Sequence, residues 1–152
     1  MNLHTLGLNH DSAPVEVREK IAFSPSSVPI ALSSFAQSFP SSEIVILSTC
    51  NRVEIYATSP DDSLDKETLL DFFSAFHGLP KEEFANHMYH HQGINAVRHL
   101  FFVASSLNSG VLGETQIISQ VKEAYMTATT AETTGSILNQ LFQRSLNVAK
   151  DV

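Results

Sequence analysis

The sequence predicts an α+β fold: a sandwich of the split βαβ kind, with a four-stranded, mainly antiparallel sheet and a helical piece after it. Three observations predict it. Strand-like and helix-like segments alternate over residues 1–91. Two strand-like runs stand only three residues apart, so they pair most simply as an antiparallel hairpin. From Gln92 onward the strand signals stop and helical periodicity takes over.

Residues 3–8 (Leu-His-Thr-Leu-Gly-Leu) read as the first strand. Residues 9–14 form a turn, and Pro14 is placed to open a short helix through Val17 and Lys20. Ser24 and Pro25 begin the next helix, in which Val28, Leu32, Phe35, Ala36 and Phe39 fall at helical spacing. Residues 43–48 are the second strand, 52–58 the third, and Thr49, Cys50 and Asn51 the bend between them. That puts Cys50 at a hairpin tip. A loop over 59–63 supplies capping residues for a helix with Leu69, Phe72, Phe73 and Phe76 on its core face. Gly78 stops that helix, Pro80 opens a short acidic helical turn, and residues 87–91 make a fourth strand.

Three helical segments are expected beyond Gln92, at 93–105, 114–131 and from Ser136 onward. The second carries Ile117, Ile118, Val121, Ala124, Tyr125 and Ala128 on one face. The third carries Ile137, Leu138, Leu141, Phe142 and Ala149 and meets no stop signal before Val152, so the chain reads as the front part of a longer protein. Two regions are expected: residues 1–91 as the α/β part and 92–152 as a helical part.

With 152 residues, 43% apolar and 16% charged, the chain is long and apolar enough for a real core. No apolar run approaches the ~20 residues that span a bilayer, and the N-terminus lacks a signal-peptide pattern. A lone cysteine makes no internal disulfide, which points to a reducing cytoplasm. The formal net charge of −7 argues against a free-standing nucleic-acid binder, because phosphate contact rewards clustered Lys and Arg.

The chemistry concentrates in Ser48-Thr49-Cys50-Asn51-Arg52-Val53-Glu54-Ile55-Tyr56. A single Cys is more often a packed core residue. Here Thr49, Asn51, Arg52 and Glu54 crowd a place where a core thiol would want hydrocarbon, and a nearby cation favours the reactive thiolate. His99 lies off the expected apolar stripe of its helix, formed by Ile94, Val97, Leu100, Phe101 and Ala104, and so has the freedom to face the sheet bearing Cys50. Ser109, Glu114, Thr115 and Gln116, with Gln120 a turn later, surround a helix N-terminus suited either to an anionic ligand or to ordinary capping. His87, His90 and His91 match no zinc spacing and no cysteine or carboxylate pair joins them, so no metal is expected. Gly110 and Gly113 do not make a G-x-G-x-x-G after a strand, so no dinucleotide site is expected in this chain.

Taken together, four motifs resemble the N-terminal catalytic region of the glutamyl-tRNA reductase family. They are Gly7-Leu8-Asn9-His10 with Ala13-Pro14-Val15 and Arg18-Glu19-Lys20; Ser48-Thr49-Cys50-Asn51-Arg52 with Glu54-Ile55-Tyr56; His99-Leu100-Phe101 with Val103-Ala104-Ser105; and Val111-Leu112-Gly113-Glu114 with Gln116-Ile117 and Gln120-Val121-Lys122. They follow the family's order along nearly the whole chain. The resemblance implies a ferredoxin-like α/β part joined to a helical part, then an NADPH-binding domain and a helical homodimerisation domain that lie beyond this chain. It implies that Cys50 attacks the glutamyl-tRNA ester to give a thioester, which NADPH reduces to glutamate-1-semialdehyde for tetrapyrrole and haem synthesis. His99 is then a proton-transfer or orienting residue. Thr49, Asn51, Arg52, Glu54, Ser109, Glu114, Thr115, Gln116 and Gln120 are the expected glutamate pocket. The aminomutase that consumes the aldehyde is an expected partner. Two other readings stay open on the residues alone: a Cys/His hydrolase of small esters or peptides, and a non-catalytic interaction module.

Overall fold

The computed structural model describes residues 2–105 and 117–150, and the side chains among them as far as Ala149. Strand β1 (Asn2–Asn9) leads into helices α1 (Val15–Ile21) and α2 (Ser27–Ser38), then β2 (Glu43–Ser48) and β3 (Arg52–Ser59). Helix α3 (Lys66–His77), two 3-10 turns, β4 (Tyr89–Gln92) and helices α4 (Ile94–Ala104), α5 (Ile117–Thr130) and α6 (Ser136–Lys150) complete it. The sheet order is β2-β3-β1-β4, and every neighbouring pair is antiparallel.

Alternation along the strands explains why β3 is buried at every position. Val53, Ile55 and Ala57 face the layer of α2 and α3, where Phe35 and Phe72 meet edge to face at 5.3 Å. Arg52, Glu54 and Tyr56 face the layer of α4 and α6, where Tyr56 packs edge-on against Phe142. A sheet covered on both faces has no wet side on which to leave a charge, so Arg52 and Glu54 must find partners within the fold.

The outer edge of β2 is sheltered rather than left open. Thr133, just after α5, accepts from the Ile44 N–H at 2.8 Å and donates its hydroxyl to the Ile44 carbonyl at 3.0 Å. Glu43 at the start of the same strand accepts from the N–H groups of Gly135 and Leu138, each at 2.8 Å, and so caps α6. Two short contacts therefore tie the C-terminal helices to the sheet.

Two details differ from the sequence expectation. Ile94 is 59% exposed, whereas Ala96, Leu100 and Val103 are buried; the packed stripe of α4 is rotated so that His99 lies on it. Helix α4 packs against α6 and α5 as well as β4 and β1, so its buried side spans more than the stripe expected from Ile94 and Val97. Ile137 is likewise exposed at the first turn of α6, which Glu43 anchors through its backbone instead.

Candidate active site at the hairpin and the sheet centre

Thr49 builds the β2–β3 turn. Its hydroxyl oxygen accepts from the N–H groups of Asn51 (3.1 Å) and Arg52 (3.2 Å), and its own N–H reaches the Arg52 carbonyl at 2.8 Å. The local pattern leaves Cys50 at the tip, exposed, as its place in the hairpin predicts. Behind it, Ser48 Oγ accepts from the Phe23 N–H at 3.0 Å and pins the hairpin to the segment after α1. Arg18 of α1 donates Nε to the Cys50 carbonyl at 3.4 Å and Nη1 to the Ala13 carbonyl at 2.7 Å. Sequence reading does not single out Arg18 as a site residue. Its only signal is membership of the Arg18-Glu19-Lys20 motif.

Beneath the hairpin, Glu54 is wholly buried and collects donors. Arg52 Nη1 lies 3.2 Å from Oε2, His99 Nε2 lies 2.5 Å from Oε2, and Tyr56 donates to Oε1 at 2.7 Å. Tyr89 of β4 also donates to Oε2. Burial pushes this carboxyl up, but the His99 hydrogen bond and charge, the Arg52 charge and the Tyr89 hydrogen bond outweigh it and hold it at about 2. Both tyrosines are pushed the other way, first by burial and then by the Glu54 charge.

Gly7 makes this convergence possible. It pairs with Glu54 on one side and Tyr89 on the other, so all three lie on one rung of the sheet. A Cβ at Gly7 would stand 2.4 Å from the Val53 carbonyl oxygen and 2.7 Å from Glu54 Cγ. With no side chain there, the Tyr89 hydroxyl reaches over β1 to the carboxylate. Tyr89 is a second residue that sequence reading misses, because strand order β3-β1-β4 cannot be read from local pattern.

The other candidates fall in distinct places. Arg52 is 2% exposed, with its Nη1 on Glu54. Gln120 of α5 is half-buried and lines a cleft of about 200 Å³ that Ser48, Leu47 and Phe23 also line, next to the hairpin base. Ser109, Glu114, Thr115 and Gln116 lie outside the described residues. His90 and His91 project to opposite faces of β4: His90 Nε2 lies 2.9 Å from His4 Nδ1, and His91 stacks on His99. His87 Nδ1 lies 3.2 Å from the Ser12 carbonyl. Among the described residues no three His, Cys, Asp or Glu side chains gather as metal ligands. In the β1–α1 connection Asn9 Oδ1 accepts from the N–H groups of Asp11 and Ser12; Gly110 and Gly113, where no dinucleotide site is expected, lie outside the described residues. No helix among the described residues is long and apolar enough to cross a membrane.

Fold and site define a mixed α/β domain with one exposed thiol on a fixed turn and, deeper in the sheet, a buried carboxylate–imidazole pair; an exposed thiol of this kind suits nucleophilic catalysis. The chain matches the family described as glutamyl-tRNAGlu reductase, N-terminal domain, over residues 6–152, and it belongs to that family. It is 44% identical to a glutamyl-tRNA reductase of Pseudoalteromonas translucida (strain TAC 125) over 152 residues, all of this chain and 36% of that protein. It superposes on the solved glutamyl-tRNA reductase from Methanopyrus kandleri with a TM-score of 0.79 and 36% identity, covering 98% of this chain and 33% of that one. The chain thus spans about a third of the length of these relatives.

Proposed function

We propose that the chain is the acyl-accepting part of an NADPH-dependent glutamyl-tRNA reductase, with Cys50 as the nucleophile. One observation carries the reading: in a member of this family, the sole thiol stands exposed on a turn fixed by Thr49, where a core cysteine would be packed away. The Cys50 sulfur attacks the ester carbonyl carbon, the C–S bond forms, and the bond to the tRNA ribose oxygen breaks. An aminoacyl ester is already activated, so a thiolate suffices.

Glu54 accepting from His99 Nε2 selects the tautomer that keeps the other ring nitrogen, Nδ1, as the proton acceptor. In this reading His99 takes the thiol proton on Nδ1 and returns it to the leaving ribose oxygen. Arg52 and Glu54 shape the pocket from below, and Thr49, Asn51 and Gln120, with Ser109, Glu114, Thr115 and Gln116, hold the glutamyl group. The strand order β2-β3-β1-β4 supports a ferredoxin-like split βαβ reading of residues 1–91, with 92–152 as a helical part. The hydride step belongs to residues beyond this chain, as do homodimerisation and any handover to the aminomutase. Reduced tetrapyrrole precursors in the cytoplasm are the setting this reading gives the whole protein.

The test is single-turnover release of uncharged tRNA from glutamyl-tRNA by the chain. Release equimolar with Cys50, absent in Cys50→Ser, is the expected result. Multiple fast turnovers on unrelated esters or peptides would instead mark a hydrolase.

A further inference from the structure

His91 has no part in the chemistry above, yet it lies against its centre. It pairs with Thr5, which pairs with Tyr56, so strand alternation points the His91 ring to the face that bears Glu54. The His91 and His99 rings stack with centroids 4.7 Å apart and planes 30° from parallel. Tyr89 closes the same cluster, its ring 5.2 Å from His99 and 5.4 Å from His91. The ionisable groups facing the pair are Glu54, Arg52 and Tyr56 from β3 and Tyr89 from β4; Thr5 of β1 is neutral.

Two imidazoles in stacking contact tolerate one charge between them far better than two. Glu54 Oε2 lies 2.5 Å from His99 Nε2, so the Glu54 charge is directed at the His99 end of the stack. Burial and then the His99 charge push His91 below the ordinary 6.5, with Glu54 pulling weakly the other way. We propose that His91 is the positioning residue that seats the His99 ring on Glu54, and that it does so only while its own imidazole is neutral. A neutral His91 is a flat wall that fixes the His99 ring plane. A protonated His91 brings a competing cation to the Glu54 carboxylate, and the His99 ring leaves it. The site is therefore disarmed by acid through His91, before Glu54 itself takes a proton. The consequence for rate rests on the role given to His99 above; the seating does not.

The test follows the downfield proton of the His99 Nε2–H to Glu54 hydrogen bond by NMR of the histidine-labelled chain as pH is lowered. In wild type the signal is lost below the ordinary histidine value of 6.5. His91→Phe stacks without titrating, so its signal persists about one pH unit lower. His91→Lys places a fixed charge there and weakens the signal already at neutral pH. Should His91→Phe fold poorly, His91→Gln, which neither titrates nor stacks well, weakens the signal at all pH values without an acid step. Equal midpoints in wild type and His91→Phe, or no such signal in wild type at any pH, overturn the proposal. A chain that never accepts a glutamyl group leaves this readout untouched, so the two readings fail separately.

Discussion

Glu54 shows how one residue type takes on a meaning that its position in the sequence only half discloses. The Glu54-Ile55-Tyr56 motif marks it for a pocket, and a carboxylate beside Arg52 invites a substrate role. Full burial and donors from Arg52, Tyr56, Tyr89 and His99 also make it a hub that positions other groups. Glu54→Gln keeps the shape but removes the charge that Arg52 and His99 were paired with. Stripping one partner from a buried ion pair costs about 3–5 kcal/mol, measurable by denaturant titration. It also frees the His99 tautomer, so the single-turnover rate falls about 10²-fold or more even where the protein stays folded.

At the scale of elements, the hairpin was legible because all its information is local. The run at 43–48, the three-residue bend and the run at 52–58 give β2 and β3 almost to the residue, and they give the exposure of Cys50. The Gly78 stop was legible for the same reason; its φ of +66° suits a residue without Cβ. What stayed hidden depends on long-range pairing. That β4 joins β1, placing Tyr89 and His91 across from Glu54 and Tyr56, follows from sheet order and not from any short pattern. The rotation of α4 that seats His99 on the sheet was hidden too, since Ile94 and Val97 suggest a different stripe. Gly7 joins the two levels, because its need is for space and not for unusual backbone. Gly7→Ala forces a methyl onto the Val53 carbonyl and the Glu54 side chain, both fixed, and is expected to cost about 3 kcal/mol. Thermal melting checks the stability, and loss of the Tyr89 contact is read from its ring resonances.

For the whole molecule, buried titrating groups predict how stability varies with pH. His4, His90 and His91 are all held below 6.5, in each case chiefly by burial. As pH falls below 6.5 the unfolded chain binds protons that the folded chain resists, so stability declines. Glu54, held at about 2 against an ordinary 4.5, contributes stability that is complete above 4.5 and is lost as pH falls from there toward 2. Urea midpoints from neutral to about pH 3 should therefore fall in two stages, the second reduced by Glu54→Gln, with Asp61 and Asp65, also held below their ordinary value by hydrogen bonds, supplying the remainder. The most direct measurement of the central claim is mass mapping of the chain after brief exposure to glutamyl-tRNA. A glutamyl adduct confined to the Cys50 peptide and labile to hydroxylamine is the predicted result. An unmodified Cys50, or the same adduct level in Cys50→Ser, would contradict it.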